Sequence, residues 1–245
     1  MTQNGTQGVQ AGAGGVGLID PVERESLAAM PNRDLLMRYR VGIELFDPRT
    51  MELDDQMLDH AFLEDVGVGR MPIRVLLGHV ADVDVASVHR MRRIIGEDGP
   101  VLSAWDHEAF IDNGIYGTTE GEGPKPGFPV GAYAAVIYTM RQWASGWLAG
   151  LDDAAWERSA MHPQHGKITL RTIVEYDTWH LEHHSRYLNA KIERLLGPVP
   201  DDWKPGGCCG GGTCGGEGCT GEAAGESSGG EAKGSGGCGP GCGCG

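Results

Sequence analysis

Tyr176-Asp177-Thr178-Trp179-His180-Leu181-Glu182-His183-His184-Ser185 is the stretch from which the rest of the chain can be read. Around it, Leu170, Ile173, Val174, Asp177, Leu181, His184, Leu188, Ile192 and Leu195 recur at three- and four-residue intervals, the period of a helix with one buried stripe. Thr169 suits the N-cap of this helix, and Gly197-Pro198 suits its stop. His180 and His184 are four residues apart, so their side chains stand one above the other on one face. Two imidazoles so placed can grip one divalent cation, and a third ligand must come from elsewhere. The best candidate is His79, about a hundred residues upstream.

Three further helices follow from the same period. The first starts near Pro31-Asn32, with Asn32 as N-cap, and carries Leu35, Leu36, Tyr39, Ile43 and Phe46 until Asp47-Pro48 ends it. The second runs from about Pro72 to Ile95 and is apolar on more than one face, as expected of a helix surrounded by others. His79, Asp82 and Asp84 lie within it and need partners if buried. The third spans about Val130 to Leu151. Short helical turns are expected near Asp54 to Phe62, Trp105 to Ile111 and Asp152 to Trp156, and a loop over Met161 to Gly166. No alternating strand pattern stands out. Four amphipathic helices imply an all-α fold, an up-down four-helix bundle, whose core is a usual place for metal ligands from facing helices.

Composition changes sharply at both ends. Residues 1–19 read as a disordered Gly-rich leader, 20–204 as the bundle, and 205–245 as a disordered Gly/Cys-rich tail. The Gly-Ala-Gly-Gly-Val-Gly run in the leader has no strand before it and no βαβ unit after it, which excludes a dinucleotide loop. All seven cysteines, from Cys208 to Cys244, fall in the tail without zinc-fold spacing. The tail admits three readings: soft-metal scavenging, thiol redox chemistry, or inert low-complexity sequence. A formal charge of −14 with no long basic cluster argues against nucleic acid as a partner. No secretory signal and no run of about eighteen apolar residues are present, so the expectation is no membrane and a cytoplasmic location.

Three neutral imidazoles suit zinc or nickel, with copper, iron or manganese as further options, and leave positions open for water or substrate. Asp82 and Asp177 each sit three residues from a proposed ligand and are the catalytic candidates, as groups that orient a histidine or relay a proton. On spacing alone, three ordinary packed histidines are the commoner reading. His183 points elsewhere on the helix, and His162 and His165 belong to the loop, where either could line the pocket mouth.

The order of motifs adds to this. Leu77-Gly78-His79-Val80-Ala81-Asp82, a Trp-Asp-rich connection, His162-Pro163-Gln164-His165-Gly166-Lys167-Ile168-Thr169-Leu170 and His180-Leu181-Glu182-His183-His184 together resemble the DinB/YfiT-like superfamily over about residues 30 to 196. That resemblance implies a four-helix bundle with a divalent metal on His79, His180 and His184. It also implies either a transferase joining a low-molecular-weight thiol of the bacillithiol, mycothiol or glutathione type to an electrophilic small molecule, or a metal-dependent hydrolase. A non-catalytic metal-binding or stress protein with a functional cysteine tail is the alternative from another class, and a homodimer through helix faces is compatible with all three. One departure is visible: Met71-Pro72 stands where the family often has Trp-Ser/Thr before the second helix.

Overall fold

The computed structural model describes residues 23–63, 66–117 and 129–203. The leader and the Gly/Cys-rich tail expected from composition lie outside the described residues. The elements in order are α1 (Arg24–Ala28), α2 (Asn32–Val41), 3-10 turns at Gly42–Leu45 and Pro48–Glu52, α3 (Asp55–Leu58), α4 (Ile73–Gly96) and α5 (His107–Asp112). They continue with α6 (Val130–Leu148), α7 (Asp153–Trp156), β1 (Ser159–His162), β2 (Gly166–Thr169) and α8 (Leu170–Leu196). The four expected long helices are α2, α4, α6 and α8, and they form a four-helix bundle.

Local chemistry fixes most of the boundaries. The Thr169 hydroxyl accepts from the Thr172 amide and opens α8, and Gly197, at φ +78°, closes it in a conformation that favours glycine. Asp152 caps α7, and Asp54 caps α3 in the same way. Asn32 does not cap α2. It is the first helical residue behind Pro31, and its side chain instead donates to Asp153 Oδ1 at 3.1 Å and accepts from Arg171. The loop expected at Met161 to Gly166 is a tight antiparallel hairpin, pairing Ser159 with Thr169 and His162 with Gly166. It was not legible because each strand has only four residues, too few to display alternation. Val101 bridges to Met161, and Leu102 donates its amide to the Met161 carbonyl at 2.9 Å. The segment after α4 is thereby pinned to the hairpin.

Partners along the helices give their directions. Ile73 and Leu77 share a core cluster with Val130, Val80 shares one with Ile137, and Val88 and Met91 share one with Ala144 and Leu148. α4 and α6 therefore run parallel. α8 runs against α4, with Leu77 beside Leu188 at one end and Met91 beside Val174 at the other. α2 runs with α8, from Asn32 opposite Arg171 to Arg38 opposite Glu182. The bundle thus departs at one step from the alternating up-down order expected. The reason is the connection of residues 97 to 129, long enough to return the chain to the end where α4 began.

At mid-height the bundle is tied by one guanidinium. Arg141 on α6 is fully buried and donates from Nε and Nη2 to both oxygens of Asp84 on α4, at 2.8 and 2.7 Å. Its Nη1 reaches the Tyr39 carbonyl at 3.0 Å, and Nη2 reaches the Asp177 carbonyl at 2.9 Å. Apolar clusters above and below contain Leu35, Leu77, Met91, Ile137, Leu181 and Leu188, all with no exposed surface. Each such side chain contributes about 1.5–3 kcal/mol on burial. Truncating a buried ion pair on one side leaves a charge without compensation. Arg141→Met is therefore expected to lower unfolding free energy by about 3–5 kcal/mol. Asp84→Leu/Arg141→Met together should recover a large part of that loss in urea unfolding, although each is disruptive alone.

Candidate metal centre

α4 and α8 lie antiparallel, and their facing sides place His79 against His180 and His184. His180 Nε2 lies 3.1 Å from His79 Nε2 and 3.1 Å from His184 Nε2. The three ligand atoms all lie within 4.8 Å of one another. Nitrogens bound at 2.0–2.1 Å around a tetrahedral ion are separated by roughly 3.3 Å, so the spacing fits one cation. His79 and His180 are each 5% exposed. Burial is the largest effect on all three imidazoles and holds them neutral: His79 is pushed down to about 4, His184 to about 3, and His180 well below its ordinary value. Proximity within the triad depresses His180 and His184 further, and His107 does the same to His79.

The chemistry of the donor set supports a cation over a hydrogen-bonded cluster. One Nε2 proton on His180 could serve one neighbour only, yet two nitrogens approach that atom equally closely. A divalent cation satisfies three lone pairs at once. All three ligands predicted from the sequence are thus brought together.

Asp82 and Asp177 have other partners. The Asp82 carboxylate accepts from the Tyr116 hydroxyl at 2.7 Å. Asp177 is fully buried, and its carboxyl has the Ser87 hydroxyl and the Arg141 and Arg90 charges in its surroundings rather than a ligand histidine. Nδ1 of His79 and of His180 lack partners, so neither aspartate orients a ligand in the way expected. The reason for Asp177 is its place in the core beside the Asp84–Arg141 pair. Burial and the nearby Asp84 charge push its carboxyl up to about 8, with Arg141, Ser87 and Arg90 pulling the other way. At neutral pH it is mainly the uncharged acid.

The surroundings of the triad come from residues that periodicity did not single out. The Trp105 ring stacks near His79 at 6.1 Å between centroids, and His107, at the start of α5, lies 5.4 Å from His79. Phe110 packs edge-on to Trp105 at 5.4 Å. On α8, Tyr176 stacks on His180 at 5.7 Å. The only sequence signal for His107 was its place in the Trp-Asp-His run of a connection too long to be a simple link. His183 stacks on Trp179 and Tyr187 and stays outside the triad. His162 is buried rather than solvated, because the hairpin folds it inward, where its Nδ1 accepts from the Gln164 amide. Exposed His165 stacks on it at 4.7 Å. Hollows of about 350 and 470 Å³ border the α2 side of α8, along Arg38, Glu182, Asp47 and Glu193, and contain none of the three histidines. The three histidines lie on the opposite face of α8.

Gly78 explains the glycine before the first ligand. A Cβ there would fall 2.4 Å from Cδ1 of Tyr116, whose ring lies directly on α4 and reaches Asp82.

A helical bundle whose facing helices converge three neutral imidazoles, with no fourth protein ligand among the described residues, is a metal-site protein of the open kind. The family is shown by a match of residues 24–188 to the model of the DinB superfamily: the chain belongs to that superfamily. Among curated proteins, one from Bacillus mycoides (strain KBAB4), named "Putative metal-dependent hydrolase", is 24% identical over 144 residues, covering 59% of this chain and 75% of that one. One of the same description from Oceanobacillus iheyensis is 22% identical over 145 residues, covering 59% and 76%. Among solved structures, YfiT from Bacillus subtilis, described as "a probable metal-dependent hydrolase with an unusual four-helix bundle topology", aligns with a TM-score of 0.54 at 17% identity. It covers 72% of this chain and 91% of that one, and it bears on the fold alone.

Two substitutions test this description. Gly78→Ala should destabilise the protein by about 1–3 kcal/mol through overpacking against Tyr116. Gly146→Ala, where nothing lies within 4 Å, should instead stabilise it by up to about 1 kcal/mol. Thermal unfolding of the two variants reads the opposite signs. For Asp177, the folded state keeps a proton that the unfolded chain releases near pH 4, so its contribution to stability is present at low pH and is lost as pH rises toward 8. Asp177→Asn removes that loss. Its stability relative to the natural protein should rise between pH 5 and pH 8, by a total on the order of a few kcal/mol, in urea unfolding of chelator-treated samples.

Proposed function

We propose that this protein is a divalent-metal-dependent enzyme that joins a low-molecular-weight thiol to an electrophilic small molecule. The observation that carries the reading is the convergence of three neutral imidazoles, with the Nε2 atoms of His79 and His184 each 3.1 Å from that of His180, beneath an aromatic wall. A zinc or nickel ion held there supplies a Lewis acid that lowers the proton affinity of a coordinating thiol or water. The residues do the rest. His79, His180 and His184 hold the ion and add no charge, so its full positive charge acts on the nucleophile. Trp105, Phe110 and Tyr176 offer apolar faces that suit a poorly solvated electrophile and limit water at the reacting atoms. The thiol sulfur forms a bond to the electrophilic carbon, and the leaving group departs with the displaced electron pair. His107, exposed beside His79, is the nearest imidazole able to pass the released proton to solvent.

Hydrolysis is the second reading, favoured by the descriptions of the two curated relatives. It uses the same three ligands, with water in place of the thiol. The two are separated by their co-substrate. Metal-loaded protein should consume thiol with a chlorinated nitroaromatic or an epoxide, and lose at least about a hundredfold of that rate in His79→Ala or His180→Ala. Turnover of esters or amides without any thiol would replace the first reading by the second. No rate above metal-free protein in either assay would overturn both.

A further inference from the structure

We propose that Arg90 is the anion-recognition residue of this site: it receives the carboxylate, or an equivalent anion, of an elongated substrate whose reacting end lies at His79, His180 and His184. This rests on the triad being the reaction centre, as argued above, and names the class of substrate that reaches it.

The placement comes from helix geometry. Arg90 follows His79 by eleven residues on α4, and eleven steps of about 100° return to within roughly 20° of the same face. Between them, on that face, stand Val83 and Ala86, both apolar. The roof is shared as well. Arg90 Nη2 donates to the Ser103 carbonyl at 3.1 Å, and two residues later Trp105 covers His79. The side wall is α8, where Tyr176 lies one turn before His180 and stacks on it at 5.7 Å. The Arg90 charge acts on Tyr176 and on His162 from the hairpin, so both groups lie in its surroundings. The triad and Arg90 therefore share one face of α4, with apolar Val83 and Ala86 between them and the Ser103–Trp105 segment over both.

Arg90 is half-buried and, among the described residues, forms no ion pair with a carboxylate. Arg38, Arg93 and Arg171, half-buried like it, each pair with a glutamate. The acid whose charge acts on Arg90 is Asp177, which is mainly protonated at neutral pH, so in a chain of formal charge −14 this half-buried guanidinium has no full negative charge against it and suits an anionic partner. Arg24 adds a second cation at the same end, 5.5 Å from the Tyr176 ring centroid. Eleven residues rise about 16 Å along the helix, and an arginine side chain leans back toward the N-terminus. The anion and the reacting atom of the substrate are then separated by roughly 10 Å.

The test uses zinc-loaded protein and four probes of eight carbons, followed by isothermal titration. Two carry a thiol head, 8-mercaptooctanoic acid and 8-mercapto-1-octanol. Two carry a hydroxamate head with the same acid or alcohol tail. The acid should bind about tenfold tighter than the alcohol with the same head. In Arg90→Met, which keeps the apolar stem, that ratio should fall to near one while the alcohol's Kd and one zinc per chain are retained. Arg90→Lys should restore part of the ratio, which a merely structural role for Arg90 would not produce. Equal affinity for both tails, a preference that survives Arg90→Met, or no binding of any probe overturns the proposal. If only the hydroxamates bind, and with the acid preferred, the thiol reading falls and the role of Arg90 stands.

Discussion

The Arg141 guanidinium is the point on which the bundle depends. A charged group with no exposure survives only if its donors are met and its charge balanced. Here one carboxylate takes two donors, and two backbone carbonyls take two more. Those acceptors belong to α4, α2 and α8, so a single side chain of α6 sets the height of all three neighbours. Apolar packing alone would tolerate sliding of one helix along another at small cost. Buried hydrogen bonds to fixed carbonyls do not.

That constraint reaches the metal centre through short covalent distances. Asp84 is five residues from His79, and the carbonyl that Arg141 holds on α8 belongs to Asp177, three residues before His180. Fixing both points fixes the relative height of the two ligand-bearing helices to within a fraction of a turn. Three imidazoles can then meet although no carboxylate orients the Nδ1 atoms of His79 and His180. Rigidity supplied by the core does the work that a hydrogen-bonded outer layer does at many metal sites. It also accounts for the uncharged state of Asp177, since a second negative charge beside Asp84 would exceed what Arg141 can balance.

The functional side of the molecule is built by the less regular parts. The connection after α4 is tied to the hairpin through Val101, Leu102 and Met161, and from that anchor it lays Ser103, Trp105 and His107 over the α4–α8 seam. Tyr116 then presses against Gly78 and takes hold of Asp82. A regular scaffold thus carries the ligands, and one long irregular connection shapes what can approach them. This division agrees with membership of a superfamily in which the bundle is shared among distant sequences.

By itself, the sequence determined the helices and the three histidines proposed as ligands. The three-four spacing around His180, the Thr169 cap and the Gly197 stop are local properties, written within a few residues of where they act. His180 and His184 share a face because four residues make about one turn. The choice of His79 as third ligand needed the ordered motifs as well. Tertiary structure decided what depends on contacts distant in sequence. It set the parallel course of α4 and α6, turned the supposed loop at Met161 to Gly166 into a hairpin, and moved Asp177 from a catalytic candidate to a buried neutral acid. It also brought His107 and Tyr116 beside the seam, where no periodicity pointed. The physical reason is that a residue's spacing fixes which way it faces on its own helix, whereas its partner, its charge state and its access to solvent are set by whichever other segment folds against that face.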